Sequence, residues 1–596
     1  MFFHDSHNPA YRSPIGPVKA DGVLTLRFRC DEDCAVELRT WDGEEHLTPM
    51  KPIGDDWFEA SVRVPRTPML LWYDFIIHAG DEIIRYGTSR DQLGGEGCVY
   101  EDHPASYQVT VYDPAYQTPE YLRKGIVYQI FPDRFFRDAN GQRGREGAIL
   151  QAHPEAVFHD SWNELPLINI DADSKKDNFA LDFFGGTLRG IEEKLDYLQQ
   201  LGVTILYLNP IFRARSNHRY DTGSYEEIDP ILGDNAAFDS LTSAAKARGM
   251  QVLLDGVFSH TGFDSLYFNR FGRYPTLGAY QSKESPYADW FTFEEFPDKY
   301  DCWWGFITLP AIRKENPNYR HYLMNQTDGI MARWIRRGAC GWRLDVADEL
   351  PMDLIREMRT CVKQADPDAT LLGEVWEDAS NKIAYGVQRS YCLGDALDSV
   401  MNYPLRRAVI DFFNGLIGAD HLRRVILNQQ EVYPAPFFYS LLNLLGSHDR
   451  LRILNAMCGL DNEGGPQMDR EEAGRFTLTP EQYELAKARY VEAFRLLCAL
   501  PGAPTVYYGD EVGLTGMADP WCRGTMPWDS MDMDLHDQIA SLLHERSEHP
   551  VLQTGCLSIE APNADTLLIR RFTIGGRDVF GSVMEDGDRL IRITRS

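Results

Sequence analysis

The chain has 596 residues, with 89 acidic against 60 basic side chains and a formal charge of −29. A chain of this length buries enough apolar surface to fold without disulfide or metal staples. The acid surplus argues against a nucleic acid or an anionic membrane surface as partner, since a net-negative surface repels both; a neutral partner fits better.

The first residues, Met1 to Asp5, have no basic region followed by an apolar one, so no secretion signal is expected. No apolar run approaches the ~18 residues of a membrane helix. The eleven cysteines are scattered, only Cys30 and Cys34 lie close together, and no CxxC or zinc-ligand spacing occurs. Reduced thiols in a cytoplasmic protein are the reading. Residues 1–118 hold short runs rich in β-branched and aromatic residues (24–29, 35–41, 57–64, 70–77 and 107–112), broken by Gly, Asp or Pro. They predict an N-terminal β-sandwich, with Trp41, Trp57 and Trp72 read as core rather than as sugar platforms. Residues 113–119 read as a linker.

Between 119 and 545 apolar runs alternate with periodic helices. The runs are 126–130, 203–208, 251–254, 341–344, 370–372, 399–402, 441–445 and 504–508; helices include 191–200, 236–248, 352–364 and 481–499. Eight such units predict an α/β chain built on a (β/α)8 TIM barrel. The aromatic, irregular stretch of about 260–309 reads as a subdomain inserted after strand three. Residues 546–596, with runs at 566–572, 579–583 and 590–594, predict a small C-terminal all-β domain.

Chemistry in such a barrel sits at the C-terminal ends of strands. Strand three ends Asp255-Gly256-Val257-Phe258-Ser259-His260, and strand four continues Gly341-Trp342-Arg343-Leu344-Asp345. Strand five ends Gly373-Glu374-Val375-Trp376, and strand seven Gly446-Ser447-His448-Asp449. Asp345, Glu374 and Asp449 thus face one active rim. Glycoside hydrolysis requires two carboxylates on one bond, one ionised and one protonated. Singly, each motif has a plain structural reading, such as an Asp capping a helix. Their joint occurrence in order, at strand ends, overturns it.

These four segments resemble the signature regions of the α-amylase family, glycoside hydrolase family 13. The run from Tyr128 to Phe135, Phe183-Phe184-Gly185-Gly186, the run from Ser216 to Thr222, and Gly509-Asp510-Glu511 resemble the neopullulanase, cyclomaltodextrinase and maltogenic amylase branch. So does an N-terminal sandwich like that branch's starch-binding module. The resemblance implies Asp345 as nucleophile, Glu374 as general acid/base and Asp449 as a third carboxylate on sugar hydroxyls. It implies His260 and His448 on hydroxyls beside the cleaved bond, Tyr220 as an aromatic platform with His218 beside it, and Trp376 on the acceptor side. Asp519 and Arg523 match a pair meeting the next sugar. Arg343, two residues before Asp345, points to the same side of its strand and is expected to keep Asp345 ionised.

Departures from the family pattern carry expectations too. Ser259 and Thr187 stand where relatives carry calcium ligands, and Asp138 and Asn140 alone fall short of the six or more oxygens calcium takes. No required cofactor, no metal site and no essential calcium are expected. Arg450 and residues 309–313 diverge near the cleft. Asp348 and Glu349 read as the acidic opening of a helix, Met517 as packing, and Trp303 and Trp304 equally as cleft wall or insert core. The expected function is a retaining α-glucan hydrolase that cuts α-1,4 bonds of maltodextrins, cyclodextrins and pullulan by double displacement, with some transglycosylation. The alternatives are an exo-acting α-glucosidase and a non-catalytic carbohydrate-binding protein. The branch also implies a homodimer through the N-terminal domain.

Overall fold

The computed structural model describes residues 1–31, 34–141, 143–167, 180–461, 468–585 and 587–595. Its centre is a ring of eight parallel strands: Val127–Ile130, Ile205–Leu208, Gln251–Gly256, Ala339–Leu344, Thr370–Gly373, Ser399–Val400, Leu442–Leu444 and Ala503–Tyr507. Each of strands two to six pairs with its predecessor, strand one pairs with strand eight, and eight with seven. A bridge between Met401 and Leu442 joins strands six and seven and closes the barrel. All eight runs read from the sequence are these strands.

They are short and almost wholly buried, as a parallel sheet covered on both faces requires. Alternate side chains part to the two faces. Val127, Ile205, Tyr207, Leu253, Leu372 and Leu444 meet in one cluster. Tyr128, Leu206, Leu254, Leu371 and Val506 join the larger core with the helices. The helix Met352–Ala365 shows why those helices dock: it buries Leu354, Ile355, Met358, Cys361 and Val362 along one stripe. Thr479 and Gln482 form a capping box that starts the helix Pro480–Ala499. The single helix expected over 191–200 is two, Leu188–Glu193 and Leu195–Leu201, parted at Lys194.

Gly341 fixes the approach of strands four and five. A Cβ there would lie 2.0 Å from Thr370 O, and its φ of +147° disfavours other residues. The pairing of strands three and four shifts register at this point, between Val252 and Leu253. A bulge of this kind re-aims the side chains that follow, here Arg343 and Asp345.

The N-terminal segment forms two antiparallel sheets. In the strand Val23–Cys30 the even positions Leu24, Leu26, Phe28 and Cys30 point inward and meet Val36, Leu38, Tyr73 and Phe75. The sequence reading missed Glu45–Pro49 and Lys51–Gly54, mostly exposed strands, and Glu82–Gly87, whose burial rises along the strand rather than alternating. It also placed the tryptophans wrongly. Trp41 is 42% exposed, Trp57 and Trp72 are half-buried, and none belongs to the sandwich core. The period of two explains it for Trp41: the inward positions of Ala35–Trp41 are 36, 38 and 40.

The expected linker is fastened to the barrel. Asp113 N donates to Leu393 O at 2.9 Å, Tyr116 OH to Leu397 O at 2.6 Å, and Thr118 Oγ1 to Pro436 O at 2.9 Å. The sandwich docks further through Glu431 of the helix Ala419–Val432, which takes Arg12, His7 and Ser6. At the C-terminal end Cys556–Asn563, Thr566–Phe572 and Asp588–Thr594 form a three-stranded antiparallel sheet. Residues 579–583 are not a strand. The Asp578 carboxylate accepts from Phe580 N and Ser582 N, which turns the chain and lays Val579 and Phe580 on the core. Among the described residues no helix is long and apolar enough to cross a membrane.

Candidate active site

Strands three, four and five converge on one guanidinium. Arg343 is fully buried; its Nη1 donates to Asp255 Oδ1 at 2.7 Å and to Asp345 Oδ1 at 2.8 Å. Its Nη2 faces Glu374 Oε2 at 3.1 Å as an ion pair without hydrogen-bond alignment. Asp345 N donates to Gly256 O and Glu374 N to Leu344 O, so both carboxylates stand on the last rungs of the barrel ladder. Val346 follows Asp345 with φ +39°, a strained value for a β-branched residue. Its N–H donates to Glu374 Oε2 at 2.8 Å, so the strained turn ties the two carboxylates together. Glu374 Oε1 accepts from Trp376 Nε1 at 3.2 Å, and Trp376 stacks on Tyr403 with centroids 4.1 Å apart.

A second node is the Tyr220 hydroxyl. It donates to Asp255 Oδ2 at 3.0 Å, accepts from Asn209 Nδ2 at 3.0 Å, and lies 2.5 Å from His448 Nε2. Gln129 Nε2 donates to His448 Nδ1 at 2.9 Å, which places the ring proton on Nε2. His448 Nε2 also lies 3.2 Å from Asp449 Oδ2. Arg523 pairs with Asp519 at 2.8 Å and Asp449 at 3.5 Å, and its Nε donates to His448 O at 3.0 Å. His218 Nδ1 accepts from Tyr220 N at 3.1 Å. His260 Nδ1 contacts Ser259 Oγ at 2.9 Å, while its Nε2 is buried without a partner.

Burial pushes the Asp345 carboxyl well above the usual carboxylate range; Arg343 pulls it down, and Glu374 and Asp255 push it up. Arg343 acts in the expected direction but does not outweigh burial and the two neighbouring acids. The physical reason is a shared cation: one guanidinium serves three carboxylates in a desolvated site. Protons of such a cluster belong to the group rather than to one residue. Asp449 is pushed up to about 7, first by burial and then by Glu374, against Arg523 and Arg343. The imidazoles are held neutral. Burial, then nearby cations, pushes His218 and His260 down to about 3 and His448 well below its usual value.

Asp345, Glu374, Asp449, His218, Tyr220, His260, Trp376, His448, Asp519 and Arg523 all line one cleft of about 1170 Å³. Arg343 does not: it lies beneath the carboxylates and acts on them rather than on a ligand. The sequence reading missed Asp255 as a site residue, though it opened a quoted segment, and missed the roles of Gln129, Asn209 and Tyr207, whose hydroxyl donates to Asp255 Oδ2 at 2.7 Å. Asp348 and Glu349 stand in a 3-10 turn, Ala347–Glu349, ahead of the α-helix that starts at Met352. Glu349 accepts from Trp304 Nε1 at 3.1 Å and from Tyr385 OH. Trp303 and Trp304 form cleft wall, the latter 75% exposed. Met517 is buried with Sδ accepting from Asn455 Nδ2 at 3.5 Å, and Arg450 is tied to Asp461 at 2.7 Å.

The positions weighed for calcium carry protein donors. Asp138 Oδ2 accepts from Thr187 Oγ1 at 2.5 Å, and Oδ1 from Asn140 N and Gly141 N at 2.9 and 2.8 Å. Among the described residues no group of three His, Cys, Asp or Glu side chains is placed to hold a metal ion.

A family model for the α-amylase catalytic domain matches residues 129–550. An amylopullulanase of Thermoanaerobacterium saccharolyticum is 36% identical over the whole of this chain, which spans 48% of that enzyme's length; two further amylopullulanases are spanned to 33% and 42%. A cyclomaltodextrinase of Geobacillus thermopakistaniensis is 33% identical over 85% of this chain and 76% of its own. A solved structure of the cyclic α-maltosyl-(1→6)-maltose hydrolase from Arthrobacter globiformis, in complex with cyclic α-maltosyl-(1→6)-maltose, superposes with a TM-score of 0.62. That match is 32% identical and covers 76% of this chain and 89% of the other. The barrel, its rim of carboxylates and these likenesses agree: the chain belongs to the α-amylase family, glycoside hydrolase family 13, in its neopullulanase, cyclomaltodextrinase, maltogenic amylase and amylopullulanase branch.

Proposed function

We propose that the chain is a retaining α-glucan hydrolase that cuts α-1,4 bonds of maltodextrins, cyclodextrins and pullulan by double displacement, with transfer to sugar acceptors as a side reaction. The observation that carries the reading is the pairing of Asp345 and Glu374 on one buried guanidinium at the floor of the cleft. Retaining enzymes hold two such groups roughly 5–5.5 Å apart. In the productive form the cluster's proton sits on Glu374 and the charge on Asp345, beside Arg343 Nη1. Asp345 attacks the anomeric carbon while Glu374 protonates the leaving glycosidic oxygen. Glu374 then takes a proton from water, or from an acceptor hydroxyl, as that oxygen opens the glycosyl ester.

The surrounding groups suit a sugar. The unpartnered His260 Nε2, the neutral His448 and the Asp449 carboxylate offer polar atoms to hydroxyls, and Tyr220 and Trp376 offer flat faces to C–H surfaces. The cleft exceeds the roughly 300–1,000 Å³ of ordinary small-molecule pockets, which favours an oligomer over the single terminal unit of an exo-glucosidase. The complete carboxylate set speaks against a non-catalytic binding protein. Calcium is proposed to be dispensable, because Thr187 gives Asp138 the partner a cation would supply.

Replacing Glu374 with Gln keeps the shape and removes the proton. Turnover on pullulan, cyclodextrin and maltotriose is expected to fall by at least about a hundredfold, the scale of general acid–base catalysis; near-normal turnover refutes the assignment. Panose or maltose among the wild-type products supports this reading, whereas glucose alone supports the exo-acting one. In the pH profile of kcat/KM, His260→Asn should lower the rate without moving the limb between pH 5 and 7, because His260 titrates at about 3. A limb displaced by half a pH unit or more contradicts the neutral imidazole. Chelator should leave the thermal midpoint within about 2 °C; a drop of 10 °C would show a structural cation.

A further inference from the structure

Arg450 follows Asp449 directly, at one of the departures from the family pattern, and its contacts lead to Glu374. Its Nη2 pairs with Asp461 Oδ1 at 2.7 Å, and Asp461 Oδ2 pairs with Arg406 Nη2 at 2.7 Å. Arg406 is buried, and its Nε donates to Leu445 O at 2.7 Å, just past strand seven. Arg450 is thus anchored to the core through a shared acid. One carboxylate cannot cancel two guanidiniums, so a positive charge is left over beside the cleft. Arg450 Nε is buried with no acceptor, which leaves the Asp461 pair and the ring described next to fix the guanidinium.

That ring is the indole of Trp376. The Arg450 guanidinium stands over it, 5.7 Å from the centroid, within the ~6 Å over which a cation is drawn to an aromatic face. Tyr403 stacks on the same indole within 3° of parallel, and Tyr403 OH donates to Ser447 Oγ at 3.3 Å. Trp376 is 39% exposed, and an exposed side chain with nothing to restrain it changes rotamer within nanoseconds. A tyrosine and a cation restrain this one. A plain surface ion pair would account for Asp461 but not for the indole.

The restraint matters because of what the indole touches. Glu374 Oε2 faces two donors, Val346 N at 2.8 Å and Arg343 Nη2 at 3.1 Å, so the transferable proton belongs on Oε1. Trp376 Nε1 donates to Oε1 at 3.2 Å. A swing of the indole releases that oxygen and frees the carboxyl to turn, and proton transfer depends on the acid being held within hydrogen-bond reach of the leaving oxygen.

We propose that Arg450 is a positioning residue. Held by Asp461, it fixes Trp376 against Tyr403, and Trp376 Nε1 in turn aims Glu374 Oε1 at the glycosidic oxygen, which takes the bonding pair and the Oε1 proton as the bond breaks. Arg450 does not line the cleft and acts only through the indole. The inference rests on the hydrolase reading of the cleft and adds a residue behind its wall.

The test compares two substrates of the full chain. Maltotriose loses a sugar, which needs the proton; p-nitrophenyl α-maltoside loses a phenolate, which does not. Arg450→Thr should lower kcat/KM on maltotriose about tenfold, part of the roughly hundredfold or more that acid–base catalysis supplies, and leave kcat/KM on the aryl maltoside within about twofold. Arg450→Lys keeps a cation near the indole and should lose no more than about threefold on maltotriose. Trp376→Phe keeps a ring but lacks Nε1 and should show the same split between substrates. Adding Arg450→Thr to it should cost less than about twofold more, since the contact that Arg450 serves is already gone. Equal losses on both substrates, a full further loss in the Trp376→Phe chain, or no loss on maltotriose overturns the proposal. A wild-type chain that cleaves neither substrate sinks the hydrolase reading and this inference with it. A wild-type chain that cleaves both, with Arg450→Thr indifferent, sinks this inference alone.

Discussion

The active rim depends on the buried guanidinium of Arg343. It contacts Asp255 from strand three, Asp345 from its own strand and Glu374 from strand five, and none of these contacts is open to solvent competition. Breaking a buried ion pair by deleting one partner costs about 3–5 kcal/mol, because the other charge is left uncompensated. Three partners on one cation raise that stake. They also set the chemistry, since a single positive charge cannot neutralise three carboxylates in a desolvated pocket. Burial and mutual repulsion therefore raise the hold of Asp345 and Asp255 on a proton, which suits a mechanism with one acid and one anion.

Backbone geometry carries this arrangement to the rim. Gly341 lets strand four approach strand five, the register shift beside it re-aims the following residues, and Val346 holds a strained turn whose N–H closes on Glu374. Strain of this kind persists where the surroundings over-determine it. Here they do, since Ala347 N also donates to Glu374 O. Outward from this centre the cleft wall is built by elements foreign to a minimal barrel: the insert with Trp303 and Trp304, the loop after strand five, and behind it the sandwich docked through Gln108 and Glu431.

Much of this was legible in the chain. The eight strands were visible as apolar runs because both faces are buried, and the three carboxylates because strand ends place them together; the other seven cleft residues were legible only through the resemblance to the family. What escaped had physical causes. The exposed strands of the sandwich lack alternation, so Glu45–Pro49 and Lys51–Gly54 gave no signal. Trp41 was misread because residue type was weighed above its odd place in a strand whose even positions are buried. The sharing of Arg343 escaped because spacing reveals a neighbouring arginine but not how many carboxylates it serves. Glu349 seemed a helix opening until the turn before Met352 aimed it at Trp304 and Tyr385.

The central claim is that Asp345 and Glu374 work as a nucleophile and acid pair on the same guanidinium. The anomeric form of the first product tests it most directly. Proton NMR of pullulan or maltotriose hydrolysis, followed from the first minute, should show the α-anomer of the new reducing end appearing before mutarotation brings in the β-anomer. If the β-anomer appears first, water rather than Asp345 attacks the sugar, and the account of the cluster is wrong.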